Sequence, residues 1–487
     1  MPIRPRIAAL KLPIAKGYWN VLDDLIFSSV SDVAERIKRR EVSPVELTRT
    51  MLERAARLNP LLNAFITLTS DDALSGAKAA EAEIMDGQYR GLLHGIPYSL
   101  KDLIQTRGIR TTAGSPILQD SVPERSATVH ERLIAAGSIL LGKNNMLEFA
   151  YASPHPDFGI TRNPWNQERS ASGSSSGSAV AVASGIGYGS IGSDTAGSIR
   201  IPAAWSGLVG LKPTNGRVSL FGVIPLGASL DTAGPLTHTV RDAAIYLSVL
   251  AGFDQRDPYS IDVPVPDYLT EMERPVHDIR VGIDNSVLDD NVDAQIIGAV
   301  HQAAATLQRL GARVQSITLP DYAPLRVAAA TILLAEASAY HDESLQTTPE
   351  LYSDAVRKRL RQGLTVRGID YVHAQDERFK ARARFLEIFQ NFDVIITPTS
   401  VINPMTIDEV RAEMILPADD PVKYRTRFTA PLNLMGLPGL SIPCGVTDDG
   451  MPIGMQLIGR PFAESTLFAL ANRYEQETGW TKRHPKL

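Results

Sequence analysis

Apolar residues that recur at intervals of three and four positions predict helices along much of the chain. In the segment SPVELTRTMLERAARLN, Ser43 and Glu46 form a capping box around Pro44, a residue that favours the first helical position. The segment SATVHERLIAAGSILLGK predicts a helix from Ser126 that stops at Gly137. Both segments therefore predict amphipathic helices with defined ends.

Short apolar runs follow several of these helices and predict strands. One such run lies at 138–141. In DAQIIGAVHQAAATLQRLGARVQSITLP a helix ends at Gly311 before a strand, and RFKARARFLEIFQNFDVIITPTS predicts a strand over 393–397. A hairpin within 440–459, with DDG at its turn, would add antiparallel strands. The alternation predicts an α/β fold with a mixed β-sheet covered by helices on both faces.

The domain organisation predicted from composition is simple. No linker rich in Pro, Gly and Ser divides the chain, so we expect one large domain over residues 29–487 and an N-terminal arm or tail over 1–28. Lys11 and Pro13 interrupt the apolar stretch of the arm, which is too short for a secretory signal or a membrane span. A cytoplasmic protein is the expectation.

Composition narrows the classes of partner. The chain is 44% hydrophobic and has a formal net charge of -5, without a basic patch for nucleic acid or an anionic membrane. We therefore expect a small-molecule ligand, no nucleic acid and no membrane. The single cysteine, Cys444, excludes an intramolecular disulfide, and it is expected to be a packed side chain. No cluster of His, Asp or Glu has metal-ligand spacing, so neither a metal nor another cofactor is expected.

One stretch is unusually rich in serine and glycine: GSSSGSAVAVASGIGYGSIGSDTAGSIRIPA, residues 173–203. Such a run weakens regular elements, because Gly loses the most freedom on folding and Ser competes for backbone hydrogen bonds. Its apolar segments AVAVA and IRIPA argue against a flexible linker, and it lacks the P-loop pattern of nucleotide-binding proteins. We interpret the stretch as a place where serine hydroxyls do chemistry.

A serine nucleophile needs a proton acceptor. Gly173, Ser175 and Gly177 match G-x-S-x-G, but the polar residues before them do not predict the strand that a nucleophile elbow requires. No downstream histidine has a distinctive setting, whereas a lysine made neutral by burial can serve as the base. Lys101 in HGIPYSLKDLIQT has apolar neighbours and is the candidate. Another pairing, Ser75 with Lys78, lies in a polar helix-like run and is discounted.

These blocks together resemble the amidase signature family. The match comprises GIPYSLKDLI, NPWN, GSSSGSAVAVASG and GSDTAGSIRIPAAWSGLVGLKPTNGRVS, in the order of the family, and it is weakest over 265–390. The family includes fatty and aryl amide hydrolases as well as the A-type component of amidotransferases. By this resemblance, Ser198 is the nucleophile, Ser174 the bridging serine in a cis peptide, and Lys101 the base.

The resemblance also implies the surroundings of the nucleophile. The backbone amides of Thr195, Ala196 and Gly197, with that of Ser198, match the oxyanion hole of the family. Asp194 and Arg200 flank the loop. They correspond to an ion pair that supports it.

Two positions depart from the family pattern. Ala196 stands where glycine often precedes the nucleophile, and Ser176 stands where glycine often follows the serine pair. Both side chains can be accommodated if the backbone φ angles are negative.

Three residues are assigned to the substrate pocket. Phe149 and Tyr151 align with the acyl-pocket wall of the family, although two aromatics before a loop are equally typical of a plain core. Thr426 aligns with the Asp that binds the glutamine ammonium in the transamidating members of the family. The missing charge argues against free glutamine and favours an uncharged, partly apolar or aryl amide.

The expected reaction is hydrolysis of a carboxylic amide C–N bond through a serine acyl-enzyme. Two alternatives stay open: a carbamate or ester hydrolase with the same triad, and a glutamine-dependent tRNA amidotransferase component of the A type. The expected partner is a small-molecule amide substrate, and a homodimer is compatible with the resemblance.

Overall fold

The computed structural model describes residues 25–289, 291–413 and 425–487. Most of the predicted N-terminal arm, residues 1–24, lies outside this part of the chain. The first described residues, Leu25 and Ile26, are buried.

Helices and strands alternate along most of the described chain. The helices are α1 Val30–Lys38, α2 Pro44–Leu62, α3 Ser70–Met85, α4 Thr128–Ala135, α5 Ser176–Ala183, α6 Arg200–Ser206, α7 Val240–Leu250, α8 Tyr268–Glu271, α9 Ala294–Arg309, α10 Tyr322–Tyr340, α11 Asp342–Thr347, α12 Asp354–Gly363, α13 Gly368–Asn391, α14 Ile407–Glu413, α15 Ala430–Met435 and α16 Glu464–Thr478. The strands are β1 Phe65–Leu68, β2 Pro97–Lys101, β3 Ile139–Asn144, β4 Gly189–Asp194, β5 Val209–Lys212, β6 Thr232–Thr237, β7 Arg280–Ile283, β8 Arg313–Ser316, β9 Val394–Pro398, β10 Gly439–Val446 and β11 Pro452–Gly459.

The strands form one mixed sheet in the order β1-β3-β2-β4-β6-β5-β10-β11-β9-β7-β8. Strand β2 is parallel to both β3 and β4, and β7 is parallel to both β8 and β9, whereas the other pairs are antiparallel. Helices cover both faces of the sheet, and the predicted α/β fold with one large mixed sheet is confirmed.

Local predictions are confirmed where capping and turn residues set the element ends. Helix α2 begins at Pro44, and the Ser43 hydroxyl accepts a hydrogen bond from the Glu46 N–H at 3.1 Å. Gly137, at φ +81°, follows α4 and precedes β3. The predicted hairpin is present as β10 and β11, which pair antiparallel.

The Ser/Gly-rich stretch is not a linker. It forms helix α5, strand β4 and the start of α6, and almost all of its residues are buried. Small side chains allow this close packing: a Cβ added at Gly177 would lie 2.3 Å from the Ala64 carbonyl oxygen. No helix among those described has both the length and the apolar character needed to cross a membrane.

The strand order brings Lys101 and Asp194 to the same edge of the sheet. Lys101 is the last residue of β2, and Asp194 is the last residue of its parallel neighbour β4. The carboxyl ends of parallel strands meet at the same edge of a sheet, where α/β proteins usually bind ligands. The loop between β4 and α6, residues 195–199, begins at this edge.

Candidate active site

A buried lysine and two serine hydroxyls meet at the ends of β2 and β4. The Lys101 Nζ donates hydrogen bonds to the Ser174 Oγ at 2.6 Å and to the Ser193 Oγ at 2.8 Å. All three side chains are buried, and the Gly173–Ser174 peptide bond is cis. The structure thus brings together two of the predicted site residues, Lys101 and Ser174.

The environment of Lys101 favours its neutral form. Desolvation by complete burial lowers the pKa of Lys101 to about 7, although the carboxylates of Asp231 and Asp194 act in the opposite direction. A lysine with this pKa is substantially deprotonated at neutral pH. Its amine can therefore accept a proton as well as donate one.

Ser198 lies on the same cavity as Ser174. Its backbone carbonyl accepts a hydrogen bond from the Ser175 N–H at 3.2 Å, which ties the loop after β4 to the segment before α5. The Ser198 side chain is partly exposed, and within the described residues its hydroxyl has no hydrogen-bond partner. The hydroxyl is therefore open to a molecule that enters the cavity.

An ion pair with no solvent exposure supports this loop. The Arg200 Nη2 and Nε donate to the Asp194 Oδ1 and Oδ2 at 2.8 and 3.0 Å. The same guanidinium donates to the side chains of Asn433 at 2.6 Å and Gln456 at 2.6 Å. Burial alone would raise the pKa of Asp194, but Arg200 holds it well below the usual range, so the carboxylate stays charged.

One of the predicted oxyanion donors is engaged elsewhere. The Gly197 N–H donates to the Asp194 Oδ1 at 2.7 Å, so the prediction for this amide is corrected. The reason is that the Asp194 carboxylate lies next to this loop and accepts the hydrogen bond of the Gly197 amide. The amides of Thr195, Ala196 and Ser198 form no comparable hydrogen bond with a described residue.

The two departures from the family pattern are accommodated. Neither Ala196 nor Ser176 has a positive φ angle, so a side chain at either position causes no backbone strain. Gly197 differs, because its φ is +124° and an added Cβ would lie 2.4 Å from the Thr429 Oγ1. The Thr429 hydroxyl donates to the Ala196 carbonyl at 2.7 Å and fixes the loop from its other side.

A cavity of about 420 Å³ opens beside the two serines. Most of its wall is apolar, with contributions from Ile201, Trp205 and Leu333. A volume of this size lies in the range of small-molecule sites.

Of the three residues assigned to the substrate pocket, Tyr151 and Thr426 line this cavity and Phe149 does not. The prediction for Phe149 is corrected. The backbone of this residue is left-handed, with φ +48°, and its ring turns away to pack edge-on against His341, with 4.4 Å between ring centroids.

Two buried polar residues near Lys101 were missed at the sequence level. Ser193 accepts from the Lys101 amine, and Asp231 accepts hydrogen bonds from the Thr195 hydroxyl and from the Leu226 N–H, the latter at 2.9 Å. Burial raises the pKa of Asp231 to about 6. In GASLDTAGPL this Asp has small and apolar neighbours, the same signal that singled out Lys101.

Metal-ligating residues do not cluster in the described part of the chain. No group of three or more His, Cys, Asp or Glu side chains there could hold a metal ion.

Comparisons with known proteins define the class. The amidase family model matches residues 46–468. The chain is 38% identical to the A component of the glutamyl-tRNA(Gln) amidotransferase of Thermosynechococcus vestitus, over 94% of this chain and 100% of that protein.

Solved structures agree with this result. A peptide amidase from Stenotrophomonas maltophilia is 31% identical with a TM-score of 0.81, over 94% of this chain and 98% of that one. A second solved structure is an inhibitor-bound complex linked to the evolutionary origins of an s-triazine catabolic enzyme. Its matching chain is 31% identical to this one with a TM-score of 0.87, over 94% of this chain and 100% of that one.

The sequence matches and the structural matches thus agree on one family of α/β enzymes. The chain belongs to the amidase signature family and is an enzyme that acts on amide C–N bonds.

Replacing Asp231 with Asn is expected to move the rising limb of the pH–rate profile to lower pH. The negative charge of Asp231 raises the pKa of Lys101, so removing the charge lowers that pKa and frees the amine at lower pH. The measurement is kcat/KM against pH. Asp278→Asn, at an exposed ion pair, serves as the control. An unchanged limb in the Asp231 variant would show that the carboxylate does not act on Lys101.

Proposed function

We propose that the chain hydrolyses a carboxylic amide through a serine acyl-enzyme in which Ser198 is the nucleophile, Ser174 the proton relay and Lys101 the base. The observation that carries the proposal is the hydrogen bond of 2.6 Å from a fully buried lysine to the Ser174 hydroxyl. Ser174 lies on the same cavity as Ser198, the partly exposed serine of the loop after β4.

The proton path starts at neutral Lys101. As the Ser198 Oγ attacks the amide carbon, its proton passes to Ser174, while the Ser174 proton passes to the Lys101 Nζ. The C–N bond then breaks, and the proton returns along the same path to the departing nitrogen, which leaves as an amine or ammonia. Water repeats the sequence on the ester and releases the acid.

The carbonyl oxygen becomes negative when Ser198 attacks. The amides of Thr195, Ala196 and Ser198 are the donors proposed to stabilise that charge. Losing one such donor typically costs about 3 to 4 kcal/mol of transition-state stabilisation. The Asp194–Arg200 pair supports this arrangement, because Asp194 also accepts hydrogen bonds from the N–H groups of Gly197 and Ile199.

Covalent labelling tests the nucleophile. After incubation with a fluorophosphonate, intact-protein mass spectrometry is expected to show one adduct on the wild type and none on Ser198→Ala, because the adduct forms on the activated hydroxyl. Ser75→Ala, at an exposed serine of α3, is the matched control and should label like the wild type. An adduct that persists on Ser198→Ala would place the reactive serine elsewhere.

A second candidate function is that of the A-type component of an amidotransferase. The observation in its favour is the 38% identity to proteins named as the A component of glutamyl-tRNA(Gln) amidotransferases. The purified chain distinguishes the two candidates, because a stand-alone amidase turns over simple amides without further proteins. Carbamates and esters belong in the same substrate panel, since an acyl-enzyme forms from either.

A further inference from the structure

One residue near Ser174 holds a backbone conformation that its side chain disfavours. Ser172 has φ +62°, in the left-handed region that favours glycine. Neighbouring contacts hold it there: the Ser170 N–H donates to the Met405 carbonyl at 2.8 Å, and the Ser172 N–H donates to the Ser170 Oγ at 3.0 Å. Two residues further on, the Ser174 carbonyl accepts from the Leu147 N–H at 3.3 Å. The surroundings thus fix the left-handed residue from both sides.

Left-handed residues other than glycine recur along the cavity wall. Ala150 and Ala152, with φ +58° and +45°, line the cavity together with Ser172. Strained backbone of this kind occurs mainly at functional sites, where the surrounding structure determines it. Of these three residues, Ser172 alone carries a polar side chain. A glycine at position 172 would adopt the same backbone without strain, so the serine side chain itself needs a reason.

The Ser172 hydroxyl is available to a molecule in the cavity. Its side chain is partly exposed and lines the cavity. Within the described residues the Ser172 Oγ forms no hydrogen bond, whereas the Ser170 Oγ accepts the Ser172 N–H and the Ser174 Oγ accepts from Lys101. A serine hydroxyl has one proton to donate and two lone pairs. The Ser172 hydroxyl can therefore donate a hydrogen bond to a ligand.

The proposed function places Ser172 near the departing amine. In that mechanism Ser174 returns the proton to the leaving nitrogen, so this nitrogen must lie against the Ser174 Oγ. Ser172 and Ser174 line the same cavity, and their Cα atoms are at most about 7.6 Å apart, the span of two peptide units. A polar group about two or three bonds beyond the nitrogen can therefore reach the Ser172 hydroxyl.

We propose that the Ser172 hydroxyl donates a hydrogen bond to a carbonyl oxygen on the amine part of the substrate. This inference rests on the proposed function for the orientation of the substrate. The favoured class is an amide whose nitrogen bears a carbonyl group one carbon away, as in an N-acylglycinamide. Such a substrate is uncharged, as expected from the sequence, and the described cavity lining contains no Asp or Glu that would repel its carbonyl oxygen.

Binding to the Ser198→Ala protein tests this contact without turnover. N-butanoylglycinamide and N-isobutylbutanamide have nearly the same shape, and a carboxamide in the first replaces an isopropyl group in the second. We expect the addition of Ser172→Ala to weaken the glycinamide about 3- to 10-fold, the range of one neutral hydrogen bond, and to leave the isobutyl amide unchanged. Calorimetric titration measures both dissociation constants.

An isomeric ligand tests the side of the scissile bond. N-ethylsuccinamide has the same atoms as N-butanoylglycinamide, but its carboxamide lies on the acyl side. Adding Ser172→Ala should leave its dissociation constant unchanged, because the Ser172 hydroxyl is assigned to the amine side. An equal loss for the two isomers would overturn the assignment.

Ser172→Gly separates the hydroxyl from the backbone. It should lose the same affinity as Ser172→Ala, because both lack the hydroxyl, and it should melt at a higher temperature, because glycine adopts a positive φ without strain. Arg40→Gly is the matched control. Arg40 has the same φ of +62° and is exposed outside the cavity lining, so all three dissociation constants should stay unchanged.

Two results would overturn the proposal. One is a Ser172→Ala protein that shows no selective loss for the glycinamide, and the other is a loss confined to Ser172→Gly, which would assign the effect to the backbone. Fluorophosphonate labelling of wild-type Ser198 reports separately on the proposed function. Labelling at Ser198 without a selective loss at Ser172 would reject this inference alone.

Discussion

Replacing Lys101 with alanine is expected to lower kcat/KM by about 10²- to 10⁴-fold, the range typical of losing a general base. The variant keeps Ser174 and Ser198 but removes the only group that the proposed relay uses to hold the proton. Turnover of a chromogenic anilide measures the loss. The thermal midpoint and the circular dichroism spectrum of the same sample show whether the variant is folded.

The pH dependence of the rate provides a second test of the role of Lys101. The pKa of Lys101 is about 7, so the activity of the wild type should rise as pH increases through this value and then level off. The alanine variant should lack this limb. A residual activity with the same limb would assign the titration to another group and contradict the role of Lys101.

Lys78→Ala provides the matched control. Lys78 lies exposed on α3, three residues after Ser75, and the pair is the other serine–lysine match in the sequence. We expect its rate and pH profile to equal those of the wild type. A large loss of activity in Lys78→Ala would indicate that the Ser75–Lys78 pair takes part in the reaction.

Replacing Arg200 with methionine is expected to lower the free energy of unfolding by about 3 to 5 kcal/mol, the usual cost of leaving one partner of a buried ion pair unpaired. Asp194 would keep its burial and lose its counter-charge, and the oxygens of Asn433 and Gln456 would lose a donor. Denaturant unfolding followed by fluorescence measures the change.

An exposed ion pair provides the control for Arg200→Met. Arg39 and Glu35 pair at 2.8 Å with side chains that are 63% and 49% exposed, so Arg39→Met should leave the unfolding midpoint unchanged. If Arg200→Met were as stable as Arg39→Met, the buried pair would contribute nothing to stability. In that case Asp194 would have to be protonated or hydrated in the variant.

Sequence patterns predicted the fold best where a local signal sets an element end. Ser43 and Pro44 mark the start of α2, and Gly137 separates α4 from β3, because capping and positive φ act within a few residues. The Lys–Ser contact followed from apolar neighbours of Lys101 and from the family resemblance. Both signals are encoded in short stretches.

The sequence-based predictions failed for groups whose positions depend on tertiary contacts. The engagement of the Gly197 amide depends on the position of the Asp194 carboxylate, and the Phe149 ring packs against His341 instead of joining Tyr151 in the cavity wall. The cations of α12 come from the segment where the family resemblance is weakest. Only the packing of this helix against the cavity shows that Lys358 and Arg359 line it and that Arg357 and Arg361 do not.

Arg200 also ties the loop after β4 to the far end of the chain. Its guanidinium reaches Asn433 and Gln456, which lie 233 and 256 residues further along the sequence. During synthesis on the ribosome, the loop is thus made long before the side chains that hold Arg200 in place. A nascent chain that ends before β11 lacks the Gln456 acceptor, so one of the contacts that hold Arg200 forms only after that strand has been translated. The full set of contacts around Arg200 therefore forms only once the last strand of the chain has joined the sheet.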